Sequence, residues 1–126
     1  MIKILHAELS YQITGLCFKA HNELGRFCSE KQYSDKLEKL LNETQVKYQR
    51  EFELSNLEGN PLKGNRVDFL IENKIILDLK TKKFITKEDY FQMQRYLKAA
   101  NLDLGLIINF RNTYLKPKRI INNTYL

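Results

Sequence analysis

Two aspartates, Asp68 and Asp78, are followed by Lys80 in a stretch otherwise dominated by Phe, Leu and Ile. Carboxylates in an apolar setting need compensation from a cation, a shared proton or solvent. A divalent hard cation would compensate them and also bring chemistry. Mg²⁺ (or Mn²⁺) takes a few carboxylate oxygens together with water and phosphate oxygens. Such an ion lowers the pKa of a water and offsets charge developing on a phosphoryl oxygen. A lysine on the same side could orient the attacking water and stabilise a pentavalent phosphate. An Asp-x-Lys tripeptide is nevertheless common, and by itself it better suits a solvent-facing strand side with a simple ion pair.

The apolar pattern discriminates between the two, because a one-residue slip in a strand pair carries every side chain to the other face. A two-residue turn at Glu72-Asn73 would pair Asp68 with Leu77 and separate the aspartates. A three-residue loop, Glu72-Asn73-Lys74, pairs Ile71 with Ile75 and sets Asp68 across from Asp78. Asn73 or Lys74 would then adopt a left-handed conformation. In this register Arg66, Asp68, Leu70, Ile76, Asp78 and Lys80 face one way. Val67, Phe69, Ile71, Ile75, Leu77 and Leu79 form an apolar face on the other. Whether Asp68, Asp78 and the Leu79 carbonyl converge on one ion is the geometric question this register poses.

Other residues are candidate helpers. Glu30 lies three residues before Tyr33 and seven before Leu37, so a helix would project it inward, where its carboxylate could reach a metal. A first-turn Glu also favours helix initiation without any further role. Gln92 and Tyr96 share a helix face at i, i+4. Gln92 could position a water or contact DNA, and Tyr96 could stack or hydrogen-bond; an ordinary amphipathic face is the plainer alternative. Lys82, Lys83 and Lys87, with Arg66 on the aspartate face, are candidate phosphate contacts or a solvated basic cluster. Cys17 and Cys28 cannot build a zinc site alone and read as small hydrophobes. His6 and His21 lie beside no nucleophile at recognisable spacing, and no phosphate-binding Gly loop or zinc-finger spacing occurs.

The elements that must position these residues can be read from periodicity and end signals. Leu5, Leu9, Ile13, Leu16, Cys17, Ala20 and Leu24 form a helical stripe that predicts a helix over 5–24, with Gly25 as a left-handed cap. Ser29-x-x-Gln32 is a capping box opening a second helix. Residues 44–57 read as a strand, 56–65 as a loop rich in Gly, Asn and Pro, and 66–71 and 74–80 as two further strands. Thr86-x-x-Asp89 opens a third helix running to Ala100, with Asn101 as its cap. Leu104–Phe110 is a buried strand and 119–121 an edge strand. The order ααβββαβ(β) predicts an α/β fold with helices packed on a mixed sheet, and 126 residues suit one domain over 1–126.

Composition agrees. Apolar residues make up 43% of the chain, enough for a core. No apolar run is long enough to span a bilayer, and the charged opening lacks a signal-peptide core, which predicts a cytoplasmic protein with no membrane partner. The net charge of +6 lies entirely in the second half, where twelve Lys/Arg face six Asp/Glu; the first half holds nine of each. A basic half suits a polyanion such as nucleic acid, although biased genome composition would also produce it.

Taken together, Leu24-Gly25, Glu30 with Tyr33, Arg66-Val-Asp68, Asp78-Leu-Lys80, Gln92-x-x-x-Tyr96-Leu97 and the run Leu104–Phe110 resemble the small GxxExxxR proteins of the PD-(D/E)xK nuclease superfamily. The resemblance covers nearly the whole chain and implies a restriction-endonuclease-like core. It further implies metal binding by Asp68 and Asp78, a catalytic Lys80, and accessory roles for Glu30 and Gln92. The Gln92/Tyr96 pair is similar to that of RecB-type nucleases. The name motif is eroded: Phe27 and Ser34 stand where that family has glycine and arginine. The expectation is a Mg²⁺-dependent nuclease acting on nucleic acid, DNA rather than RNA, as a homodimer or within a larger assembly. The alternative is a non-catalytic nucleic-acid-binding or partner-binding module that keeps the fold.

Overall fold

The computed structural model describes residues 4–57 and 64–125. Three helices, α1 (Ala7–Leu24), α2 (Glu30–Asn42) and α3 (Lys87–Ala100), pack on a sheet of five strands. These are β1 (Tyr48–Glu53), β2 (Arg66–Ile71), β3 (Ile75–Lys80), β4 (Leu104–Asn109) and β5 (Lys118–Ile121). The strands lie side by side in chain order, antiparallel except for the parallel pair β3–β4, which α3 connects. The fold is α/β, with the predicted element order. Among the described residues no helix is long and apolar enough to cross a membrane.

The sheet separates two cores. On one face Phe69, Ile71, Ile75, Leu77, Leu79, Leu104, Leu106 and Ile108 pack against α1 and α2. On the other, Leu70, Ile76 and Ile107 pack against Met93, Tyr96 and Leu97 of α3. Every residue of β4 is buried, as expected of a strand covered on both faces. Both capping boxes form, at Ser29/Gln32 and Thr86/Asp89, and Asn101 ends α3 in the left-handed conformation.

The β2–β3 register is Phe69↔Leu77, Leu70↔Ile76 and Ile71↔Ile75, the three-residue-loop alignment. The positive φ values fall on Glu72 and Asn73, 53° each, rather than on Lys74. Glu72 tolerates this because its N–H donates to the Lys47 carbonyl (2.9 Å) and its carboxylate accepts from the Lys47 N–H (3.0 Å).

Several local expectations are corrected. The first helix starts at Ala7, because His6 is left-handed (φ 48°). Gly25 has positive φ (78°) but ψ −159°, a region open essentially to glycine, rather than the left-handed helical cap. The first strand begins at Tyr48, not Thr44: Thr44 Oγ1 donates to the Leu41 carbonyl and accepts from the Val46 N–H, a side-chain turn that competes with a ladder. It ends at Glu53, where a 3-10 turn over Leu54–Asn56 follows. Of the predicted loop, Gly59, Asn60 and Pro61 lie outside the described residues, while Gly64 has φ 89°.

Val67 is a further correction. It was expected on the face of Phe69, yet it packs in the α3 core together with Phe52. Their neighbours Tyr48 and Phe69 belong to the α1/α2 core. The reason is Glu51, whose φ of 51° turns the β1–β2 ribbon between the pairs Arg50↔Phe69 and Phe52↔Val67. Asp68 lies at this corner.

Candidate active site

The sheet and α3 bring Asp68, Asp78, Lys80 and Gln92 together at the carboxyl end of β3. One step beyond Phe69↔Leu77, the register sets Asp68 opposite Asp78. Asp78 is buried, 7% exposed, on a strand with apolar neighbours on both sides. Asp68 is half-buried, and its Oδ2 accepts the Leu79 N–H at 2.7 Å. Burial and the adjacent Asp78 carboxylate push the Asp68 carboxyl up to about 8; the Leu79 N–H works the other way, and Glu30 adds to the repulsion.

Lys80 Nζ stands 3.0 Å from Asp78 Oδ2. That is an ion-pair contact, and among the described residues the buried Asp78 Oδ2 has no hydrogen-bond partner of good geometry. The ammonium instead donates to Gln92 Oε1 at 3.1 Å and has Asp89 Oδ1 at 3.7 Å. Burial opposes the charge on Lys80, yet Asp78, then Asp89 and Asp68, hold its pKa above the ordinary lysine value. Lys80 is therefore a cation at neutral pH, fixed between Asp78 and Asp89, with the Asp68 carboxyl and the Gln92 amide beside it.

Two carboxylates meet in a site of low solvent access, one oxygen lacks a hydrogen-bond partner, and the Asp68 carboxyl favours a proton where nothing else offsets the repulsion. These features fit a hard cation. Among the described residues no group of three or more His, Cys, Asp or Glu side chains is arranged to hold a metal. Glu30 does not complete one. It is exposed as the first residue of α2, with Thr81 Oγ1 at 3.5 Å from its Oε2. Glu30 shares the helix stripe of Tyr33, Ser34 and Leu37, but at the first position of α2 it stays exposed rather than projecting inward, close enough for its charge to act on Asp68.

The remaining candidates divide. Tyr96 is 6% exposed in the α3 core, so its ring is not an open stacking platform. Burial and the nearby Asp78 charge raise its hydroxyl pKa. Lys82 Nζ pairs with Asp89 Oδ2 at 2.8 Å, while its backbone exchanges hydrogen bonds with the Asn109 side chain (3.1 and 2.7 Å). Lys83 and Arg66 are exposed. The Leu79 side chain is buried in the opposite core, and its N–H meets Asp68. Cys17 is fully buried and its thiol is pushed up to about 12, as an inert core residue should be.

Sequence reasoning missed two residues here. Asp89 reads as a helix cap, and it is one, but its second oxygen also faces Lys80. Asn109 closes β4 and ties the β3–α3 loop to the β4–β5 loop through Lys82 and the Arg111 N–H. The capping motif was visible; its proximity to a lysine on another element was not.

No curated protein and no solved structure matches the chain. A family model matches residues 7–121, a span containing both aspartates, Lys80 and the whole sheet, and on that match the chain belongs to the PD-(D/E)XK nuclease superfamily.

Proposed function

We propose that this protein is a divalent-metal-dependent nuclease that hydrolyses phosphodiester bonds in DNA, with Asp68, Asp78 and the Leu79 carbonyl as the ligands of Mg²⁺ or Mn²⁺. The observation that carries the reading is the Asp68–Asp78 pair, in which Asp78 is buried and its Oδ2 meets only the Lys80 ammonium at 3.0 Å among the described residues, a lysine that stays charged. When bound, such an ion would lower the pKa of a water and offset negative charge on the scissile phosphate. Lys80, a cation held by Gln92 and Asp89, suits electrostatic stabilisation of charge building on phosphate oxygens rather than proton abstraction. Gln92 positions Lys80, and Glu30 acts as an accessory carboxylate at the rim. Within the superfamily the motif residues favour a GxxExxxR-like member.

The test is cleavage of labelled single- and double-stranded DNA and RNA with Mg²⁺ or Mn²⁺, comparing wild type with Asp78→Ala and Lys80→Ala. Metal-dependent cleavage abolished by both substitutions is expected; its absence across the panel would remove the enzymatic reading. A non-catalytic nucleic-acid-binding module is the second reading, favoured by the two-carboxylate donor set. It predicts nucleic-acid affinity unchanged in Asp78→Ala and no uptake of Mg²⁺ by calorimetry.

A further inference from the structure

Three loops meet beyond the carboxyl ends of β3 and β4 and enclose a groove of about 490 Å³. The α1–α2 loop supplies Arg26 and Phe27, the β3–α3 loop Lys83 and Phe84, and the β4–β5 loop Arg111 and Tyr114. Lys116 adds a fourth cation, and among the described residues no carboxylate lines the groove. Its aromatic rings are open: Phe27, Phe84 and Tyr114 are 74%, 75% and 79% exposed. Large apolar rings left that accessible mark a contact surface more often than a folding requirement.

The guanidinium groups are organised around one ring. Arg26 lies 4.6 Å and Arg111 5.5 Å from the centre of the Phe27 ring, and Arg26 Nε donates to the Arg111 carbonyl at 2.8 Å. Arg111 Nε is buried with no hydrogen-bond partner, although a buried guanidinium donor left unmet is costly. His21 Nε2, donating to the Asn112 carbonyl at 2.9 Å, anchors the β4–β5 loop to α1. Lys83 follows Lys80 by three residues, so its Cα lies within about 11 Å of that of the site lysine.

We infer that this groove binds a single-stranded polynucleotide, stacking unpaired bases on Phe27 and Phe84 while Arg26, Lys83 and Arg111 meet its phosphates. Alternating cations and open aromatic faces suit this ligand because every base presents a π-face, whereas in a duplex the bases are stacked on one another. A base-free polyanion would use the cations and leave the exposed ring surface of Phe27, Phe84 and Tyr114 in water. The inference rests on the nuclease reading only for its meaning: it names the strand form delivered to Asp68, Asp78 and Lys80.

The test is fluorescence anisotropy in chelator with oligo-dT and oligo-U of about 12 nucleotides, a length within single-strand site sizes, and a blunt duplex of equal length. Single-stranded probes should bind more tightly than the duplex, and the DNA and RNA arms report which sugar is preferred. Phe27→Ala and Phe84→Ala should each weaken single-strand binding on the order of tenfold, with melting temperature unchanged because both rings are exposed. Arg111→Gln should reduce the salt slope by about 0.7. Unchanged single-strand affinity in both phenylalanine variants, or displacement by polyphosphate as effective as by unlabelled oligonucleotide, would overturn the inference, as would no binding at all. If wild type binds as described but cuts nothing with Mn²⁺, the groove stands and the nuclease reading falls. If it cuts and the phenylalanine variants bind and cut like wild type, the reverse holds.

Discussion

Replacing Asp68 by Asn should stabilise the metal-free protein, and by an amount that grows with pH. The Asp68 carboxyl is raised from 3.8 to about 8 by burial and by Asp78. A carboxyl raised in the folded state keeps its proton to higher pH there than in the unfolded chain. Its stabilising contribution is complete below 3.8 and is lost progressively as pH rises to about 8. Each pH unit inside that window costs up to about 1.4 kcal/mol. From pH 6 to pH 8 the wild type should therefore lose up to about 3 kcal/mol relative to Asp68→Asn. The asparagine cannot ionise, and its oxygen can still accept the Leu79 N–H. For a domain of this size that loss corresponds to a melting-temperature gap widening by roughly 10 °C. The assay is thermal unfolding of both proteins in chelator from pH 5 to pH 9. Carboxylates with lowered pKa, such as Asp89, lose their contribution at low pH in both proteins and cancel in the difference. A gap that stays flat between pH 6 and pH 8 would refute the argument that Asp68 is held protonated by its neighbour.

Protons should compete with a divalent ion at the same carboxyl, so Mg²⁺ or Mn²⁺ affinity measured by calorimetry should rise by about tenfold per pH unit up to pH 8 and then level off; a pH-independent affinity would count against Asp68 as a ligand. Gly105→Ala would drive a methyl into Met93 Sδ and Cγ, the residue next to Gln92, and should cost about 1–3 kcal/mol by chemical denaturation; no loss would mean that α3 can move off the sheet freely. Tyr33→Phe removes the hydroxyl that donates to the Gly25 carbonyl and accepts from the Cys28 N–H, and should cost about 1–3 kcal/mol, while the stack on Phe110 at 4.1 Å is kept. Gln92→Ala should lower cleavage more than it lowers stability, since it frees Lys80 without opening the core; equal losses in both would make Gln92 structural only.

The parts of this fold that could be read in advance are those whose causes are local. The two capping boxes depend on residues three apart, and both form. The β2–β3 register follows from alternation: only a three-residue loop puts Phe69, Ile71, Ile75, Leu77 and Leu79 on one face, and that face is buried. The same alternation sets Asp68 across from Asp78. It failed at Val67, because periodicity assumes a uniformly extended strand and Glu51 turns the ribbon at that point. It failed for Glu30 because a helical wheel gives a direction around an axis but not the height of the neighbouring layer.

Thus the Asp68–Asp78–Lys80 face was written in the spacing of the chain, since backbone pleat and the free energy of apolar burial act over a few residues. What holds that face in its electrostatic state came only from tertiary structure. Asp89 and Gln92 reach Lys80 through the β3–α3–β4 crossover, Tyr96 is withdrawn into the core, and three loops far apart in sequence assemble the cation–aromatic groove. No local pattern encodes these meetings, because packing between layers sets the distances over which charges and rings act on one another.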